Sequence, residues 1–260
     1  MPNDSDALAR FDLTGRVAVV TGGSRGLGRE MVLGFARQGA DVVIASRKIA
    51  ACEALAAEVE AETGRAALAV ACHVADWAQC DALYEATWAR FGRADVLVNN
   101  AGMSPRYAAL AEVTEDLWDK VLNVNLRGPF RLSVLFATRM AAEGGGSIIN
   151  VSSVAAVAPT PVEVPYAAAK AGLNNLTISL ARSFAPRVRV NCIMPGPFLT
   201  DISKAWPEEF QEGLRQSVPL GRGGEPDEVV EAALYFASDA SRYTTGAVLK
   251  IDGGAVAPPA

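Results

Sequence analysis

The strongest constraint on this chain is an alternation along its whole length. Short runs of apolar, β-branched residues recur between Ala-rich stretches whose apolar positions follow a helical period. A strand covered by helices on both faces reads as a continuous apolar run, so this pattern specifies repeated βαβ units around a parallel sheet. Strands are expected at Val17–Thr21, Asp41–Ala45, Ala67–Ala71, Val96–Val98, Ser147–Val151, Arg189–Ile193 and Val248–Ile251. Helices are expected at Leu27–Gln38, Ala50–Thr63, Trp77–Phe91, a long stretch Glu115–Ala142, Tyr166–Phe184 and Asp227–Ala237. No linker or fixed-period repeat divides the chain. Residues 1–260 therefore read as a single α/β domain, doubly wound, with about seven parallel strands and helices on both faces. One long irregular stretch, Pro195 to about Pro226, carries the amphipathic piece Trp206–Arg215 and is expected to serve as a substrate lid.

Charge and cysteine content narrow the function. The net charge is −5 and no run of Lys or Arg occurs, which argues against a nucleic-acid or anionic-membrane surface. The four cysteines, Cys52, Cys72, Cys80 and Cys192, show no CxxC spacing, and a chain able to bury a large core has little use for disulfides. The N-terminus lacks a basic-then-apolar signal segment, and no apolar stretch reaches the roughly 18 residues of a membrane span. A soluble, cytoplasmic protein with reduced thiols is expected.

The segment TGGSRGLG follows the first strand and opens the first helix. Gly22, Gly26 and Gly28 let the backbone turn tightly, approach a pyrophosphate and pack the helix on the sheet, with phosphates at the helix N-terminus. In the first βα turn of a parallel sheet this is the Rossmann-type dinucleotide site, and Ser24, Arg25 and Leu27 complete its loop. The second strand ends in Ala45-Ser46-Arg47-Lys48, where an NAD-specific site would carry Asp or Glu for the ribose 2′-hydroxyl. Without that acid, Arg47 can hold a 2′-phosphate bidentately and Arg25 adds a second positive charge. The cofactor reading is NADP(H), with NAD(H) as the alternative.

Tyr166 and Lys170 form YAAAK, an i,i+4 pair on one helix face. An ammonium near a phenol stabilises the phenolate, so such a pair can move a proton. Ser153 lies just past the fifth strand, where ligand groups gather in open α/β sheets, and its hydroxyl can bond an oxygen that becomes an alkoxide.

With these residues in hand, the sequence resembles the short-chain dehydrogenases/reductases from about Leu13 to Gly254. TGGSRGLG, NNAG at Asn99–Gly102, NVN at Asn123–Asn125, Ser153, YAAAK, Pro195-Gly196 and DGG at Asp252–Gly254 appear in order. The resemblance implies a catalytic tetrad of Asn125, Ser153, Tyr166 and Lys170. It makes Tyr166 the general acid/base and Ser153 the polarising group. Lys170 would hold the nicotinamide ribose and lower the Tyr166 pKa, and Asn125 would anchor a water of the proton relay. It further implies cofactor contacts from Asn99, Ala101, Gly102, Tyr166, Lys170, Pro195, Gly196 and Thr200, and a homotetramer with the last strand and the Tyr166 helix in subunit contacts. Asn125 inside a long helix is a poor helix former, and that cost points to function.

One position departs from the family. His73 stands where an Asp usually bonds the adenine amino group, and one histidine without a second gives no metal site. Trp77, Trp88 and Trp118 read as packing residues, whereas Trp206 in the lid stretch can close over a substrate. Arg106 and Phe198 are further candidate substrate contacts, Arg106 for a carboxylate or phosphate. The expected activity is an NADP(H)-dependent oxidoreductase that moves hydride between nicotinamide and a ketone or secondary alcohol, possible substrates including 3-oxoacyl thioesters. The alternatives are an NAD-dependent polyol, sugar-acid or hydroxysteroid dehydrogenase and a non-catalytic NADP(H) sensor.

Overall fold

The computed structural model describes residues 8–200 and 208–256. Its strands are β1 (Val17–Thr21), β2 (Asp41–Ser46), β3 (Ala67–Ala71), β4 (Val96–Asn99), β5 (Gly146–Val151), β6 (Val188–Pro195) and β7 (Val248–Ile251). They form one seven-stranded parallel sheet in the order β3-β2-β1-β4-β5-β6-β7. The order reverses at β1, so a crevice opens beyond the carboxyl ends of β1 and β4, the place where open α/β sheets bind ligands.

Alternate residues of each strand feed opposite layers, because successive side chains point to opposite faces. On one face Val20, Ile44, Val98 and Ile149 pack under helices α1 (Gly26–Arg37), α2 (Ile49–Thr63) and α8 (Val230–Ala237), which supply Met31, Phe35, Val59 and Phe236. On the other, Val19, Val43, Leu97 and Ile148 meet α3 (Trp77–Phe91), α5 (Gly128–Glu143) and α6 (Val164–Phe184), which supply Leu83, Phe136, Met140 and Leu180. Each such fully buried large side chain contributes roughly 1.5–3 kcal/mol of transfer free energy. Both faces are covered, which is why the strands read as apolar runs.

Two departures from the expected elements matter. The long helix Glu115–Ala142 is instead α4 (Glu115–Leu122), a π turn at Asn123–Arg127, and α5. The stretch Asp227–Ala237 opens as a tight 3₁₀ turn, Pro226–Val229, because Pro226 and a Glu225–Glu228 capping box fix its start. Helix α7 (Glu208–Ser217) covers most of the expected amphipathic piece, while Trp206 lies outside the described residues. Of the tryptophans, Trp88 packs against Tyr84 and Phe136, with ring centroids 4.7 and 5.1 Å away. Trp77 is partly exposed beneath Arg127 and Arg131, and Trp118 is exposed.

A buried polar chain ties the sheet to the helices. Asn99 Nδ2 donates to Asn150 Oδ1 and Ser133 Oγ, both at 2.9 Å, and Asn150 Nδ2 donates to Thr177 Oγ1 at 2.9 Å. Removing one member strands its buried partners at roughly 1–3 kcal/mol each. Asn150→Ala is accordingly expected to lower unfolding stability in urea by about 2 kcal/mol or more; an unchanged midpoint would show that the chain carries no net stability.

Candidate active site

The glycine turn is fixed from outside by β4. Thr21 Oγ1 donates to Val98 O at 3.1 Å and accepts from the backbone N–H groups of Asn100 and Ala101 at 3.1 and 3.2 Å. The Asn100 amide donates to Thr21 O at 3.0 Å and Gly22 O at 3.2 Å. These bonds join the carboxyl ends of β1 and β4 at the switch point. They also dictate the glycines: at Gly28 a Cβ would lie 2.3 Å from Gly22 O and 2.5 Å from Asn100 Nδ2. Gly22 adopts φ +62°, and a Cβ there would press on Ala101 Cα at 2.9 Å. Arg25, the residue before α1, gives that helix no side-chain cap, so its first N–H groups face outward as an anion site.

Beyond this turn lies a cleft of about 420 Å³, lined by Gly22, Ser24, Arg25, Gly26, Leu27, Ser46, Arg47, Ala101, Gly102 and Thr200 among the sequence-predicted cofactor residues. Thr200 sits over the turn, its Cγ2 3.6 Å from where a Gly26 Cβ would be. Ser24 Oγ donates to Ser46 Oγ at 2.9 Å, tying the turn to the end of β2. Lys48, Cys72, His73, Val74, Asn100 and Met103 line the cleft as well. Its lining thus carries Arg25, Arg47 and Lys48, and no carboxylate lines it among the described residues. His73 does face the cleft, with Nδ1 accepting from Ala75 N at 3.2 Å. The open glycine cradle, the uncapped helix start and the cationic lining fit an elongated dinucleotide.

The other predicted cofactor positions shape this space without lining it. Gly28 and Asn99 are buried, and Asn99 serves the sheet. Pro195 closes β6, and Gly196 packs on Asp252, whose Cβ would be 2.5 Å from a Cβ at 196. Phe198, expected near substrate, is buried with the core and packs on Gly224, because a bridge pairs the two backbones. Arg106 is exposed on the loop after β4.

Ser153, Tyr166 and Lys170 are not among the residues that line the cleft; helix α6 places Tyr166 and Lys170 a turn apart, with Lys170 Nζ next to Gly102, which does line it. Ser153 lies near enough to Tyr166 to act on its phenol, and Ser153 Oγ accepts from Ala155 N at 3.2 Å. Burial raises the Tyr166 pKa above its ordinary value, Ser153 lowers it in part, and Glu163 raises it further. Lys170 Nζ donates to Val151 O at 2.7 Å and lies 5.6 Å from the Tyr166 ring centroid. With its ammonium turned to that carbonyl, Lys170 is not what sets the phenol here; burial is. Burial also pulls the Lys170 pKa down from 10.5 to about 8. The neighbouring Cys192 thiol is pushed up to about 12 by burial and stays neutral.

Asn125 stands in the π turn and is fully buried. Its Nδ2 donates to Met103 O at 2.8 Å and Val121 O at 2.9 Å, and its Oδ1 accepts from Met103 N at 3.2 Å. Both amide protons are occupied, so one lone pair of Oδ1 is the polar capacity this side chain keeps. π turns are frequent at functional sites. Gly102 links this cluster to the cleft, since a Cβ there would lie 3.1 Å from Asn125 Oδ1 and 3.6 Å from Lys170 Nζ.

Sequence reasoning gave Asn100 and Lys48 no role of their own and placed Tyr107 only within a substrate-pocket segment, Met103–Tyr107. Lys48 follows Arg47 directly and was visible. Asn100 carried no local signal because its partners, at 78 and 79 residues' separation, are brought to it by the fold. Tyr107, bonded to Pro161 and Val164, left no local signal either.

The Lys170 shift has a stability consequence. The folded state resists the ammonium, so between about pH 8 and 10.5 the unfolded chain binds more protons. The cost is full below about pH 8 and fades as pH rises to 10.5. Lys170→Met is expected to be more stable than the wild type near neutral pH, with the advantage shrinking above pH 8; thermal melts across that range check it, and a constant difference would contradict it.

Comparison with known proteins agrees with this geometry. The family model described as enoyl-(acyl carrier protein) reductase matches residues 22–256. The chain is 39% identical over 245 residues to a 3-oxoacyl-(acyl-carrier-protein) reductase of Thermotoga maritima, covering 94% of this chain and 99% of that one. It is 39% identical over 246 residues to a D-threitol dehydrogenase of Mycolicibacterium smegmatis, covering 94% of each. A crystal structure of a gluconate 5-dehydrogenase from Burkholderia cenocepacia in complex with NADP and tartrate superposes with a TM-score of 0.92 at 37% identity, over 97% of this chain and 100% of that one. The chain belongs to the short-chain dehydrogenase/reductase family, oxidoreductases that act on CH–OH and carbonyl groups with a nicotinamide cofactor.

Proposed function

We propose that this protein is an NADP(H)-dependent carbonyl reductase. One observation carries the reading: Gly102 lines the cleft that holds Arg25, Arg47 and Lys48, and a Cβ there would lie 3.6 Å from Nζ of Lys170, one helical turn along from Tyr166. Those cations suit a 2′-phosphate, and a carboxylate there would repel it. The NADP bound to the Burkholderia relative supports the same choice.

A nicotinamide held in the cleft would supply hydride for the substrate carbon. The chain does the rest. Ser153 and Tyr166 donate hydrogen bonds to the carbonyl oxygen, and Tyr166 gives its proton to the alkoxide as it forms. A phenol held above its ordinary pKa is protonated at neutral pH, so it begins the reduction as an acid. Lys170, close to its own pKa of about 8, stabilises the phenolate left behind and returns a proton to it. Asn125 holds Met103, and so the cleft wall, in place.

The similarity to an oxoacyl reductase supports 3-oxoacyl thioesters, and the threitol and gluconate enzymes support polyols and sugar acids. Arg106 is the side chain offered to a carboxylate or phosphate. Exposed Trp118, Phe130 and Ile178 on α4, α5 and α6, with Val248 and Leu249 on the edge strand β7, suit packing of further copies into a tetramer.

The test follows NADPH and NADH consumption against ketones, sugar acids and 3-oxoacyl thioesters, with Tyr166→Phe in parallel. Turnover with NADPH that falls at least about a hundredfold in the variant, at unchanged cofactor affinity, is expected. Tight NADPH binding without turnover on any substrate would favour a sensor.

A further inference from the structure

Helix α6 carries both Tyr166 and Lys170, yet it starts without a cap of its own. Its Ncap residue, Glu163, makes no side-chain bond to the helix; that carboxylate accepts from Thr160 Oγ1 at 3.0 Å instead. Pro165 has no N–H to satisfy, so Val164 presents the first orphan donor of the helix. That N–H is taken by a residue far away in sequence: Tyr107 Oη accepts from Val164 N at 2.8 Å. The same hydroxyl donates to Pro161 O at 2.8 Å.

Tyr107 ends a segment whose other end is also held. Met103 is clamped through its N–H and its C=O by the Asn125 side chain, and it lines the cofactor cleft. The segment from Met103 to Tyr107 therefore runs from the π turn to the start of α6. The segment is thus fastened at both ends to elements bearing the proposed catalytic groups.

We infer that Tyr107 is a positioning residue that caps the helix of Tyr166 and Lys170 and latches the Met103–Tyr107 wall against it, setting the substrate mouth before substrate enters. The hydroxyl has one proton and makes one donated bond, and the bond it accepts satisfies Val164, so both functions rest on one oxygen. A preset wall matters because a segment that must be ordered when substrate binds weakens that binding. The segment touches the cofactor cleft only through Met103, whose hold on Asn125 does not involve Tyr107. Loss of the latch therefore acts on substrate and spares the cofactor. The kinetic part of this inference rests on the carbonyl-reductase reading; the capping part does not.

Tyr107→Phe keeps the ring and removes the oxygen. In the full-length protein, KM for the best carbonyl substrate is expected to rise about tenfold. The kcat should change far less, and the Kd for NADPH should stay within about twofold. Hydrogen exchange should speed up at the Val164 amide and leave β4 and β5 as in the wild type. An unchanged exchange rate at Val164 would overturn the cap. An unchanged KM, or a rise in KM matched by equal weakening of NADPH and general loosening of the sheet, would overturn the latch. Should the wild type reduce no carbonyl, the functional reading fails by itself, and the Val164 exchange rate still decides whether Tyr107 caps the helix.

Discussion

The Asn100 amide, bonded to the carbonyls of Thr21 and Gly22, is the contact on which the site depends. It fastens β4 to β1 where the strand order reverses, and it leaves no room for a side chain at Gly28. Helix α1 thereby starts close to the strand end, its uncapped first residues Gly26 and Leu27 lining the crevice. Thr21 repeats the fastening from the other side with a single hydroxyl. The position of the anion site and the course of the wall from Asn99 to Met103 follow from these few bonds.

Around that fixed point the molecule carries features that work against stability. Lys170 is buried at some cost to its charge, Asn99 Oδ1 is buried with no hydrogen-bond partner, and a π turn interrupts the helix that holds Asn125. Two hydrophobic layers on either side of the sheet offset these costs. Such strain gathers where geometry serves chemistry rather than folding. Within the cluster, the arrangement of partners sets each group's state. Lys170 bonds a backbone carbonyl, burial holds the Tyr166 phenol above its ordinary pKa, and the Cys192 thiol remains neutral beside them.

Much of this was legible in the sequence, for a physical reason. Parallel strands buried on both faces must be apolar throughout, so all seven could be placed within a few residues from composition alone. The glycine turn was legible because close backbone approach excludes every other residue. Asn125 drew notice as a misfit in a helical run, yet the sequence could not say that the helix breaks into a π turn around it. Long-range hydrogen bonds were the hidden part. Asn100 and Tyr107 find their partners through the fold, and Phe198 turned out to be held in the core by its pairing with Gly224.

Arg25, Arg47 and Lys48 line the cleft, and Ser46 occupies the end of β2, where an acid would select NAD. Equilibrium titration of the wild-type protein with NADPH and with NADH, at low and at high ionic strength, tests this most directly. Binding of NADPH should be at least about tenfold tighter at low salt, the gap narrowing as salt screens the 2′-phosphate. Equal affinity, or tighter binding of NADH, would contradict an NADP(H) site.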